Sequence, residues 1–328
     1  MIEPQPASSG ATAAASRTLP SSPVAIGWRT RHLLDVDALD RYEIERCLDL
    51  AVEMRSLLQR RERLDILSEE IVGLAFAEAS TRTRVSFEIA AATLGARVVE
   101  LPMATSSVGK GESLADTLRT LERTGVSTIV LRHGASGAPY HATRSCGMRI
   151  VNAGDGLHGH PTQALLDALT LRDALGGLEG TSVAIVGDIG HSRVARSNLL
   201  LLTAMGARVR LSGPPAWTRG FERWPGVSVH HRLEDALDGA DAVMALRVQL
   251  ERNAAAGVPS LAEYTARWGL DDARLRSARA GAPLLHPGPT NEGVEITAQL
   301  AGSERSVIGR QVSNGVAIRM AVLALLAP

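Results

Sequence analysis

Two spacings of apolar residues alternate along this chain. Ile44, Leu48, Ala51, Val52 and Leu58 recur at helical intervals with charges opposite, which predicts one amphipathic helix between Asp37 and Gln59. Ile71, Leu74, Ala75 and Phe76 have the length of a buried strand, and Val85, Phe87, Ile89 and Ala90 return to helical spacing. The alternation continues. Strands are expected over residues 97–101, 127–131, 149–153, 182–186, 208–212 and 241–246 and at Leu284-Leu285. Helices are expected over 112–123, from Pro161 onward, up to Met205, and over 316–326 at the end. Such alternation predicts an α/β fold of two doubly wound parallel-sheet domains facing a cleft, with the C-terminal helix packing back on the first domain.

A change of composition at Gly176-Gly177-Leu178-Glu179-Gly180 marks the expected domain boundary, with the preceding helix as connector. The expected division is an extension over residues 1–24, a first domain over 25–163, a second over 164–314 and a closing helix over 315–328. The extension is rich in Ala, Ser, Pro and Thr and reads as disordered, a targeting peptide being the alternative.

Composition narrows the class. The 328 residues are 45% hydrophobic and 21% charged, enough for two cores. Lys+Arg and Asp+Glu both total 35, so no basic excess offers a nucleic-acid surface and a small-molecule partner is expected. The apolar run at 316–326 is interrupted by Arg319, so no membrane span is expected. Cys47 and Cys146 lie far apart without metal-ligand spacing, which favours reduced structural thiols in the cytoplasm, with no metal. Lys110 is the only lysine in the chain, through chance or because a compact ammonium is needed there.

The candidate chemistry gathers where strands give way to helices. Glu78-Ala79-Ser80-Thr81-Arg82-Thr83-Arg84 sits at such a junction, where first-turn N–H groups and the helix dipole attract anions. Ser80, Thr81 and Thr83 add hydroxyls, and Arg82 and Arg84 add guanidinium forks suited to phosphate or carboxylate. The plainer alternative is a Ser80 N-cap followed by a solvated first turn. Residues 104–111 form a glycine-flanked loop that could carry Lys110, and Arg132 and His133 close a strand at its C-terminal end, where ligands of open parallel sheets bind. His160 and Gln163 flank Pro161 at another helix start. Residues 187–193, Gly-Asp-Ile-Gly-His-Ser-Arg, imitate a dinucleotide fingerprint but lack its third glycine and an acidic residue closing the next strand. Arg193 ends that stretch, Arg247-Val248-Gln249 ends another strand, and His286-Pro287-Gly288-Pro289 forms a stiff turn.

Ser80-Thr81-Arg82-Thr83-Arg84, Lys110-Gly111-Glu112, Arg132-His133, His160-Pro161-Thr162-Gln163, Arg247-Val248-Gln249 and His286-Pro287-Gly288-Pro289, in this order and spacing, resemble the motif series of the aspartate carbamoyltransferase catalytic-chain family. The likeness runs from about Arg31 to the C-terminus. The 187–193 stretch and the longer 286–289 turn are similar to a bacterial branch that has an N-terminal extension and assembles with a dihydroorotase-like chain. The resemblance implies a cofactor-free cytoplasmic homotrimer with active sites between subunits, transferring the carbamoyl group of carbamoyl phosphate to L-aspartate in pyrimidine synthesis. It implies that Ser80, Thr81, Arg82 and Thr83 hold the phosphate with Arg132, while Ser106 and Lys110 enter from the neighbouring subunit. Thr83, Arg132 and His160 would contact the carbamoyl oxygen and Gln163 its amino group. Lys110, Arg193, Arg247, Gln249, Gly288 and Pro289 would form the aspartate side, and Glu78 would bridge to Arg193 and Arg252 on domain closure. This chain has Glu292 where the related branch carries an arginine.

The residue types suit the chemistry. An amine attacking a carbamoyl carbon forms an oxyanion and releases phosphate, so fixed cations and N–H donors are the main requirement. Three other readings stand beside it: an ornithine carbamoyltransferase, a nucleotide-dependent oxidoreductase resting on the glycine loop, and a silent assembly subunit. Against the ornithine enzyme, the 286–289 turn has no cysteine and the arginines disfavour a cationic substrate.

Overall fold

The structure is a computed structural model that describes residues 27–101, 103, 113–249 and 260–328. Ser106, Lys110 and Arg252 therefore lie outside the described residues, as does the expected extension. Helix α1 (Arg41–Gln59) starts at a reciprocal capping box in which Asp40 and Glu43 satisfy each other's backbone N–H groups. Such a cap is worth about 1 kcal/mol. Then follow β1 (Ile71–Phe76), α2 (Thr81–Thr93), β2 (Arg97–Leu101), α3 (Leu114–Arg123), β3 (Thr128–His133), α4 (Ala138–Ser145), β4 (Arg149–Asp155) and α5 (Pro161–Leu175). The four strands pair in parallel in the order β2-β1-β3-β4.

The second half repeats the scheme. It comprises β5 (Ser182–Val186), α6 (Arg193–Ala204), β6 (Arg208–Ser212), α7 (Pro215–Thr218), β7 (Val227–His230), α8 (Leu233–Leu237), β8 (Ala242–Ala245), α9 (Leu261–Trp268), α10 (Asp272–Leu275), β9 (Leu284–Leu285) and α11 (Ala298–Ala301). Its sheet is also parallel, in the order β7-β6-β5-β8-β9. The order reverses between β1 and β3 in one sheet and between β5 and β8 in the other. Crevices for ligands open beyond the carboxyl ends of strands at such reversals.

The closing helix α12 (Ile308–Leu325) packs on α1, α2 and α5. One apolar cluster runs through Leu48 of α1, Leu166 of α5, Leu199 of α6 and Leu323 of α12 and ties both sheets together. The helix begins at Ile308, well before the apolar run at Val316. Gly309, Ser313, Asn314 and Gly315 hid its first turns from the pattern, and burial of Gln311 and Asn314 in hydrogen bonds compensates for their polarity. Helix α4 and strand β7 were also not marked by periodicity. Strand β7 lies at the edge of its sheet with a half-buried face, so it lacks a continuous apolar run.

Candidate active site

Four of the strand-to-helix junctions converge on the cleft. Ser80 occupies the N-cap position of α2, yet its side chain makes no cap hydrogen bond. The first helical bond there runs from the Arg84 N–H to the Ser80 carbonyl at 3.0 Å, so the N–H groups of Thr81, Arg82 and Thr83 precede the ladder. No acidic residue stands in that turn. Thr81 and Arg82 are exposed, Ser80 half-buried and Thr83 buried. Arg84 departs from expectation: its guanidinium pairs with Glu100 of β2 and Glu88. Residues two apart on a helix point in nearly opposite directions, so Arg82 and Arg84 cannot serve one ligand.

Beyond β3, Arg132 donates to the Ala153 carbonyl at 3.1 Å and lies 3.5 Å from the Glu78 carboxylate. Glu78 also accepts from Arg193 at 2.8 Å, a bond that joins the β1–α2 junction to the start of α6. Arg193 is buried and gives its other terminal nitrogen to the Gly156 carbonyl at 3.3 Å. Both guanidinium groups lie against Gly154, whose φ of +114° favours glycine. A Cβ there would stand 3.0 Å from the Arg193 Nε and 3.1 Å from an Arg132 nitrogen.

His160 caps the start of α5 by position only, since its ring makes no cap bond. Its own N–H donates to the Ser197 hydroxyl at 2.9 Å, fixing the backbone while leaving the imidazole for other partners. Burial, then the charges of Arg132, Arg193 and Arg319, hold the ring well below its usual pKa. It is therefore a neutral imidazole. Gln163, one turn on, is buried and donates to Asp167 at 2.9 Å.

Across the cleft, β8 runs into Arg247 and Gln249. Two buried carboxylates hold this segment by its backbone: Glu295 accepts from the Val248 N–H at 2.8 Å and Asp188 from the Gln249 N–H at 3.2 Å. Glu295 also accepts from the Asn291 N–H at 2.8 Å, tying the segment to the turn that follows β9. That turn contains a cis Gly288–Pro289 bond, with Gly288 at φ +63°. Arg82 reaches it from the other domain, and a Cβ on Gly288 would fall 2.9 Å from the guanidinium carbon. Burial and Arg247 lower the Arg82 pKa, while burial, Arg82 and Arg247 push His286 down to about 3. Arg82, Arg247 and His286 thus share one electrostatic neighbourhood. Glu292 is exposed.

The sequence motifs omitted several residues that shape this cleft. Asp167, Asn198, Gln311, Glu295 and Arg319 are all buried. For Asp167 and Arg319 the signal was a lone polar residue inside an apolar run, as in Leu165-Leu166-Asp167-Ala168-Leu169. Among the described residues, no group of three or more His, Cys, Asp or Glu side chains could hold a metal ion.

An arginine-rich cleft at two reversal points, with uncapped helix starts facing it, defines a receptor for small polyanions. The chain matches the family models described as aspartate/ornithine carbamoyltransferase, carbamoyl-P binding domain, over residues 31–173 and Asp/Orn binding domain over residues 179–326. It belongs to the aspartate/ornithine carbamoyltransferase family. It is 51% identical over 322 residues to the aspartate carbamoyltransferase catalytic subunit of Gluconacetobacter diazotrophicus, covering 97% of each chain. It is 52% identical over 294 residues to that of Thermus aquaticus, covering 89% of this chain and 97% of the other. Aspartate transcarbamoylase from Trypanosoma cruzi in complex with N-(phosphonacetyl)-L-aspartic acid superposes with a TM-score of 0.82 at 32% identity, covering 91% of this chain and 96% of that one. The same enzyme with carbamoyl phosphate and aspartate gives a TM-score of 0.82 at 30% identity, with the same coverage.

Proposed function

We propose that this chain transfers the carbamoyl group of carbamoyl phosphate to the amine of L-aspartate, giving N-carbamoyl-L-aspartate and phosphate. The observation that carries this reading is the joining of two receptor sets across one cleft: Arg82 lies over Gly288 while Glu78 pairs with Arg193. The start of α2, with Ser80, Thr81, Arg82 and Thr83, takes the phosphate. Thr83, Arg132 and neutral His160 face the carbamoyl oxygen and stabilise negative charge as it develops. Gln163 faces the carbamoyl amine. Arg193, Arg247 and Gln249 receive the carboxylates of aspartate, with Gly288 and Pro289 lining that side. An arginine has five N–H donors, so Arg193 can bind a carboxylate beside Glu78 and the Gly156 carbonyl.

In the reaction the aspartate nitrogen attacks the carbamoyl carbon, the carbon–oxygen bond to phosphate breaks, and phosphate leaves with the electron pair. The amine proton passes to the departing phosphate, because the buried imidazole is a weak base. Ser106 and Lys110 complete the site from a neighbouring subunit of a homotrimer, Arg252 joins Glu78 and Arg193 on closure, and a dihydroorotase-like chain is the candidate partner. The carbamoyl phosphate-binding domain is residues 25–163 and the aspartate-binding domain 164–314. Absence of a helix long and apolar enough to cross a membrane among the described residues supports no particular compartment; two free cysteines favour the cytoplasm.

The test is phosphate release from carbamoyl phosphate by the purified chain with aspartate or ornithine. Aspartate-dependent release is expected; ornithine-dependent release, or none with either amine, would overturn the assignment. The solution mass in the same preparation tests the trimer, which a monomeric mass under turnover conditions would exclude.

A further inference from the structure

Asp167 lies outside every motif that marks the site, and its side chain is fully buried. Nothing about packing calls for it: an apolar residue would continue the run on α5 without desolvating a charge. Burial pushes its carboxyl up to about 6, against the opposing pull of three hydrogen bonds and the Arg319 charge. Those three bonds come from side-chain amides. Gln163 donates to Oδ1 at 2.9 Å, Gln311 to Oδ1 at 2.7 Å and Asn198 to Oδ2 at 2.8 Å.

We propose that Asp167 is a positioning residue that fixes which end of the Gln163 amide faces the carbamoyl group and, through Gln311, holds the 286–289 turn in register with it. A carboxylate only accepts hydrogen bonds, so each amide must turn its NH2 toward Asp167. The oxygen of Gln163 is then the atom left to face the ligand. A carbamoyl NH2 is a donor and needs that acceptor; a reversed amide would set N–H against N–H. Gln311 is oriented in the same way, and its oxygen accepts from the His286 N–H at 2.9 Å. His286 Nδ1 accepts in turn from the Gly288 N–H at 2.8 Å, and Gly288 is the residue against which Arg82 lies. One carboxylate therefore anchors a continuous chain with both ends in the cleft. Such shared preorganisation is what two-substrate chemistry requires.

The proposal rests on the carbamoyl-transfer reading, and wild-type turnover with aspartate is measured first in the same assay. Asp167→Leu is expected to lower kcat/KM for carbamoyl phosphate by about a hundredfold, the scale of a misplaced reacting group. Asp167→Asn is expected to restore most of that loss. Its amide oxygen can take the place of Oδ1 for Gln163 and Gln311, and meeting its NH2 with the Asn198 oxygen gives up only the Asn198 bond to the Val194 carbonyl. Gln311→Met removes both the bond to Asp167 and the link to His286 but leaves the Gln163–Asp167 bond in place, and is expected to raise KM for aspartate about tenfold with KM for carbamoyl phosphate little changed. Equal losses in the Leu and Asn variants, or a Gln311→Met variant that moves both KM values together or neither, would overturn the proposal. If Asp167→Leu does not fold, the KM split of Gln311→Met decides alone. A wild-type chain without turnover would overturn both readings; normal wild-type turnover with unaffected variants would overturn this one only.

Discussion

At the scale of single residues, the cleft works by holding charges where water would scatter them. His160 is the sharpest case, because its imidazole is kept neutral by burial and three surrounding guanidinium groups. A neutral ring still carries one N–H that can donate to a developing oxyanion. His160→Gln is expected to lower kcat by about a hundredfold, the usual scale for one oxyanion donor. The shape of the pH–rate profile should persist; loss of a limb would make His160 the base instead. The same group predicts a stability effect. Its folded pKa is depressed, so below about 6.5 the unfolded chain binds a proton that the folded chain refuses, and stability falls as pH drops. Removing His160 should flatten that fall by up to about 1.4 kcal/mol per pH unit in chemical denaturation. An unchanged slope would mean the ring is not buried as described. Arginine and histidine motifs made much of this neighbourhood legible in the sequence, because an arginine in a first helical turn opposes the helix dipole unless an anion meets it. Asp167 and Gln311 were not legible: a lone polar residue in an apolar helix looks the same whether it is a hub or an accident until its partners, far apart in sequence, are seen together.

At the scale of elements, the start of α2 combines two demands that ordinarily oppose each other. A helix start is stabilised when its N-cap side chain satisfies an N–H, and binding an anion requires that the N–H stay available. Ser80 leaves the cap bond unmade. Ser80→Ala should therefore leave thermal stability within about 0.5 kcal/mol of wild type, whereas an ordinary N-cap serine would cost about 1 kcal/mol. The same variant should raise KM for carbamoyl phosphate severalfold. Loss of stability with an unchanged KM would return Ser80 to the plain capping role that the sequence alone allowed. Elements with one clear period, such as α1, β1 and β5, were readable because a single buried face dictates their pattern. The beginning of α12 was not, since its polar residues face buried partners and only the packed fold reveals that they are inside. Arg84 likewise escapes its sequence pattern, since helix geometry turns the guanidinium to Glu100.

At the scale of the whole molecule, the two sheets meet through a small number of polar crossings above a shared apolar layer. The apolar layer sets the domains side by side but does not define how far the cleft opens, because its contacts lie among α1, α5, α6 and α12. Glu78 spans the cleft, reaching Arg193 at 2.8 Å and Arg132 at 3.5 Å, and we propose that this crossing governs the opening. Its carboxylate is partly exposed, so solvent weakens these attractions and the crossing can break and remake. Glu78→Gln keeps the shape and one hydrogen-bonding oxygen but removes the charge that draws the two arginines together. The variant should keep its fold and bind carbamoyl phosphate with little change, since the start of α2 stays in place and Arg132 keeps its bond to the Ala153 carbonyl. Its KM for aspartate should rise about tenfold, because Arg193 is then held at the edge of the first domain only by neutral acceptors, the Gln oxygen and the Gly156 carbonyl. Small-angle scattering with and without a bisubstrate analogue separates the two effects: wild type should contract on binding and Glu78→Gln should contract less. Equal contraction with normal aspartate kinetics would show that closure is set by the apolar layer and the 286–289 turn, with Glu78 only a passenger at the cleft.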